Sequence, residues 1–374
     1  MEHPEESEEQ QDSKTEDNES AEYAKLDKLQ ITVAMFSKFN ISLSYDTLCL
    51  LIKNEKEQNS YFSTDDRSMF DALTQIPFFS YSNTETEGFT FRYRSSLEAK
   101  VFLNRKDKNG EIQLSILLEL LDLLKIDAQS SGIYNNSLAI CLREFLKLSG
   151  PNSKKYFSED IYWNESDDYY KFFNNIPSIL DKISELLKVL ERITDKVGFI
   201  HTFITFTREY YGNSDYCNNI DERIEHLKRA FSIAQEAIEE IEIFFNGFEK
   251  SAKIKSYLND EYQAIVTESA FTYSKISELE ENCNVKFCSS GIFRSAVFPY
   301  LKKIIILNPT NGYAYNALFK NFLKMYKEEK NEGIKRAYWN EMMGIIDDSE
   351  GYEIVNRGDN KDDLTEYIKD IYKC

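Results

Sequence analysis

GFTFRYRSSLEAKVFL, Gly88 to Leu103, is the stretch on which the reading of this chain turns. A glycine opens strict alternation, with Phe89, Phe91 and Tyr93 on one side of a strand and Thr90, Arg92 and Arg94 on the other. Two serines then restart a helical pattern, with Ser95 as N-cap and Glu98 at capping-box spacing. Just upstream, PFFSYSNTETE also alternates and runs into a polar turn, so residues 77–94 read as a β-hairpin. The aromatic side is expected to pack on helices. The arginines are expected to face solvent or a neighbouring domain, and their planar forks suit carboxylate or phosphate. Arg92 and Arg94 are therefore the candidate inter-domain contacts.

Around this lone hairpin the chain reads as helix. Leu26, Leu29, Val33, Phe36 and Phe39 recur at three and four residues and predict one apolar helical face. ISLSYDTLCLLIKN follows, with Ser44 as a cap for a short helix carrying Leu48 and Leu51. DDRSMFDALTQI, Asp65 to Ile76, predicts a third helix that stops before Pro77. Three short helices followed by a hairpin is the element order of a winged helix. Beyond the hairpin, GEIQLSILLELLDLL, NNSLAICLREFLKL, IPSILDKISELLKVLERI and VGFIHTFITFTREYY keep helical spacing, as does Asp221 to Phe245. Such lengths suit helical hairpins stacked side by side.

Composition agrees. Across 374 residues there are only 13 Gly and 6 Pro, which favours long helices over turn-rich β architecture. The net charge is −19, and residues 1–28, with eleven acids against three lysines, contribute −8 of it. The remaining −11 disfavours nucleic acid as a partner unless a basic face is segregated. Residues 1–25 read as an acidic, disordered tail or linker. Residues 26–108 read as a winged-helix-like domain and 109–374 as an α-helical region. The N-terminus is acidic rather than basic-then-apolar, and no run of about 18 apolar residues occurs, so a cytoplasmic, membrane-free protein is expected.

Motifs for chemistry are sparse. The nearest approach to a phosphate-binding loop, Gly150 to Lys154, lacks both the spacing and a preceding strand. Six scattered cysteines and three remote histidines predict no zinc centre. His201, in GFIHTFITF, reads as a packed core histidine, and His226, in DERIEHLKRA, as a surface one. Acid clusters such as Glu278, Glu280 and Glu281, or Glu236, Glu239 and Glu240, read as solvated helix faces. No catalytic residue, metal or cofactor is expected.

Ala296 to Glu329 resembles the junction between tetratricopeptide repeats. One helix ends at Leu307, Asn308-Pro309-Thr310-Asn311 makes a turn, and Tyr313, Tyr315 and Leu318 open the next. Phe319 departs from the small residue usual there, and no clean 34-residue period extends upstream. If exposed, Tyr313 and Tyr315 would anchor a protein partner; otherwise they fill the repeat core.

Taken in order, Leu26 to Asn104 resembles the winged-helix segment that follows the ATPase core of bacterial STAND-type NTPases, a group that includes antiviral defence proteins. In those relatives a strand ending F-R-[HY] precedes a helix resembling L-x-A, matched here by Phe91, Arg92, Tyr93, Leu97 and Ala99. A helical, tetratricopeptide-like sensor usually follows, and residues 110–374 fit that order. The resemblance implies a non-catalytic sensor module, a protein ligand such as a phage protein, and control of an ATPase in cis or in trans. The nucleotide-binding core that should lie upstream is missing from this sequence. The alternative is a winged-helix transcription regulator with a helical sensing region.

Overall fold

The structure, a computed structural model, describes residues 26–53, 66–84, 88–130, 136–149, 175–246, 252–282 and 286–350. The acidic tail 1–25, the Gly150–Lys154 segment, Cys283 and Cys374 lie outside the described residues. The protein is mostly α, with one small three-stranded sheet. It divides into two compact units, with Ile176–Val189 belonging to the first and Leu190 onward to the second.

The first unit opens with α1 (26–37), followed by β1 (Leu43–Ser44), α2 (Tyr45–Lys53) and α3 (Asp66–Thr74). The hairpin follows as β2 (Phe79–Thr84) and β3 (Gly88–Tyr93). Its sheet order is β1-β3-β2, with both pairings antiparallel. Gly88 enters β3 at φ +65, the left-handed region that a side chain would strain. Ser44 caps α2, its hydroxyl accepting the Thr47 amide at 3.3 Å. The two-residue β1 was not legible in the sequence. It forms because the chain leaving α1 turns through Asn40 at φ +60 and lies against Phe91 and Thr90 of β3.

Helix α1 was expected to bury one face, yet Ile31 to Phe36 are all buried. Its environment explains this. The Ser37 hydroxyl reaches the hairpin, while Phe36 and Phe39 meet Phe145 at 4.9 and 5.5 Å between ring centroids. Phe145 belongs to α6 (Asn136–Ser149), which follows α4 (Ser96–Lys106) and α5 (Glu111–Ser130). A helix wedged between neighbours becomes apolar nearly all round. As expected, Ser95 is the N-cap of α4 and accepts the Glu98 amide at 3.1 Å. Helix α7 (Ile176–Val189) completes the unit against α5, with Lys182 pairing to Asp122 and Lys125 to Glu185.

The second unit is helical among its described residues. It comprises α8 (Ile193–Gly212), α9 (Ile220–Asn246), α10 (Ala252–Leu279), α11 (Phe298–Leu307), α12 (Gly312–Glu328) and α13 (Glu332–Glu350). A short α-turn, Ser290–Ile292, and a π-helical turn, Phe293–Val297, lead into α11. Helices α8, α9 and α10 pack against one another, and α10 then packs on α11 and α12. Cross-links between alternate helices recur sixty residues apart: His201 to Glu261 at 3.0 Å and Arg208 to Glu268 at 2.8 Å. Lys303 to Glu242 repeats the relationship on the other helix row. Helix starts are not evenly spaced along the unit: α9 and α11 begin 78 residues apart, at Ile220 and Phe298, and α11 and α13 begin 34 apart, at Phe298 and Glu332.

Candidate protein-binding surface

The alternation of β3 places the candidate residues. Phe91 and Tyr93 are buried, ringed by Tyr45, Phe70, Phe79 and Phe102. Toward the hairpin tip this aromatic layer opens. Phe89 lies 4.8 Å from the Phe70 ring yet is 38 % exposed, and Tyr81 is 56 % exposed. The Tyr93 hydroxyl titrates well above the usual tyrosine range, because burial and then the charges of Asp27 and Glu98 oppose its ionisation. It is a packing group rather than an acid.

Arg92 and Arg94 lie on the opposite face, both exposed. Across the ladder they stand beside Ser80 and Phe78. Thr90, on the same face, is buried and shares a 2.8 Å hydrogen bond with Ser82. The result is an outward patch of two guanidinium groups with Phe78, itself 55 % exposed.

The tyrosines in the second unit separate. Tyr315 is 1 % exposed, beside fully buried Leu318, Phe319 and Phe322, so it fills the core and offers no surface. Tyr313 is half-buried. Asn311 caps α12 by accepting the Ala314 amide at 3.3 Å, which makes the Asn-Pro turn the helix boundary the sequence predicted. At the other end of α12, an open cleft of about 610 Å³ is lined by Tyr326, Glu332, Gly333, Lys335, Arg336 and Trp339.

Several residues take roles the sequence did not advertise. His201 is half-buried against Glu261 rather than sunk in the core, and His226 stacks flat on Tyr211 at 4.0 Å. Glu280, read as solvated, is 1 % exposed. It accepts the amides of Phe287 and Cys288 at 2.9 and 3.0 Å and pairs with Lys228 at 2.7 Å. Burial pushes its carboxyl up, but the two amides and the lysine outweigh that and hold it below the ordinary range. The only sequence sign was its place past the last apolar turn of α10. Among the described residues no three His, Cys, Asp or Glu side chains gather as a metal site, and no helix is long and apolar enough to cross a membrane. Comparison with family models, curated proteins and solved structures gives no match.

Proposed function

We propose that this chain is a non-catalytic, cytoplasmic protein-interaction module, in which a winged-helix unit is followed by a tetratricopeptide-like helical sensor. The observation that carries the reading is the order α1-β1-α2-α3-β2-β3 with β3 central, whose aromatic side is packed while Arg92 and Arg94 remain outward. A hairpin whose apolar side is committed to helices except at its tip presents mainly its other side, and here that side is cationic. A protein surface bearing carboxylates is the complement this favours. The successive helical pairs of the second unit supply the broad surface typical of peptide and protein sensors.

By its resemblance to the C-terminal half of STAND NTPases, the module controls an ATPase carried upstream or on a separate chain, in bacterial antiviral defence. Co-expressing the chain with an NTPase encoded beside it tests this. The expected result is a stable complex that weakens on Arg92→Glu and Arg94→Glu. Duplex DNA is the competing ligand, favoured by the same topology but opposed by Asp71 exposed on α3 and by the acidic body. Affinity for DNA that falls steeply with salt overturns the interaction reading in favour of a regulator.

A further inference from the structure

Strand β2 ends the sheet, and the phase of its ladder shows what its free edge offers. Its register runs unbroken from Phe79 opposite Tyr93 to Thr84 opposite Gly88. The Arg94 amide donates to the Phe78 carbonyl at 3.0 Å. Opposed residues in an antiparallel pair alternate between bonded and non-bonded, so Ser80 and Ser82 direct their backbone groups to β3. Phe79, Tyr81 and Asn83 therefore turn theirs outward. The Tyr93 amide obeys the same phase, donating away from β2 to the Ser37 hydroxyl at 2.9 Å. The Phe79 amide is already taken by the Ile76 carbonyl. What remains outward is the Phe79 carbonyl and both backbone groups of Tyr81 and of Asn83. No described strand lies beyond them.

Natural sheets blunt such edges with lysine, proline, bulges or brevity. The six residues FSYSNT carry no charge and no proline, and they pair one for one with β3. The side chains flanking the edge differ by face. On one side Tyr81 and Phe89 are open around Phe70. On the other, the small Ser80 alone separates Arg92 from the edge, while Phe78 stands across from Arg94. An added strand would lie about 4.8 Å beyond β2 and so about 10 Å from β3. An arginine crossing a serine spans most of that gap.

We propose that β2 accepts an extended segment of a partner protein as a fourth strand, with acidic side chains toward Arg92 and Arg94 and apolar ones toward Tyr81 and Phe89. The proposal rests on the reading of the hairpin as an interaction surface and specifies its ligand. Main-chain hydrogen bonds supply affinity and the alternate side chains supply specificity. A second copy of this chain is a poorer occupant. The six residues FSYSNT of its own edge bring no carboxylate to the arginines.

The test uses the intact chain and a fluorescein-labelled octapeptide of alternating glutamate and valine, with the lysine–valine octapeptide as counterpart, read by anisotropy. The glutamate peptide is expected to bind at least tenfold more tightly. Tyr81→Pro removes the central outward donor and no bond to β3, and Tyr81→Asp blunts the edge with a charge of the same sign as the glutamate peptide. Each should weaken binding at least tenfold with an unchanged circular dichroism spectrum. Arg92→Glu with Arg94→Glu should invert the preference. No binding, equal binding of the two peptides, or undiminished binding to both Tyr81 variants overturns the proposal. So does a concentration-dependent dimer abolished by Tyr81→Pro, which assigns the edge to a second copy. If the NTPase complex survives Tyr81→Pro, strand addition is lost while the interaction reading stands.

Discussion

The Ser37 hydroxyl accepts the buried Tyr93 amide at 2.9 Å, fastening the end of β3 to the end of the first helix. In Ser37→Ala that amide loses its partner in a place water does not reach, at a cost of about 1–3 kcal/mol. Urea unfolding should show a lower midpoint with an unchanged slope. Ser37→Thr, which keeps the oxygen, should lose less. Equal losses for the two would mean the oxygen is not what matters.

Arg223, 6 % exposed, donates from Nε to the Tyr211 carbonyl at 2.7 Å and from Nη2 to the Gly212 carbonyl at 2.8 Å. Both carbonyls belong to the unsatisfied last turn of α8. Arg223→Met keeps the bulk and removes the fork, so about 1.5–3 kcal/mol of stability should disappear. Thermal unfolding should also place Arg223→Lys below wild type, because an ammonium cannot reproduce the planar two-point contact.

Glu280 makes stability depend on acidity. Although burial alone would raise its pKa, the Cys288 amide, Lys228 and the Phe287 amide bring the folded value below the unfolded one. A carboxyl depressed on folding contributes stability in full above its unfolded pKa of about 4.3, and loses it as pH falls through the folded value. Glu280→Gln should therefore be less stable than wild type at pH 7, with the gap closing below about pH 4. A gap that stays constant between pH 7 and pH 3 would falsify the linkage.

Cys288 should be the slow thiol. Burial first, and then the Glu280 charge, push it up to about 12. At pH 8 that leaves on the order of one thiolate in ten thousand. Iodoacetamide labelling followed by peptide mass spectrometry should find Cys288 nearly unmodified in the folded protein and promptly modified in urea. Fast labelling of the native chain at pH 8 would contradict this.

How much was legible depended on range. The β2–β3 hairpin, the Ser95 cap, the Asn311 boundary and the outward arginines follow from alternation and local hydrogen bonding within a few residues, and the structure bears them out. Strand β1 could not be read. Two residues carry no period, and their partner lies almost fifty positions away in β3. Glu280 misled for a similar reason: a glutamate after a helical turn looks solvated until Lys228 and the Phe287–Cys288 backbone close over it. Tyr315 was left between anchor and core, because an aromatic at helical spacing serves either purpose and only its neighbours decide.

The amino-acid sequence by itself therefore determined the helical class, the hairpin and the faces of its side chains, since periodicity and caps act through neighbours along the chain. Tertiary structure alone decided that α1 is enclosed nearly all round, that His201 meets Glu261 sixty positions along the chain, and that no described strand covers the edge of β2. Each of these depends on which distant segments meet. Such meetings are set by the packing of whole faces, which no local window of residues contains.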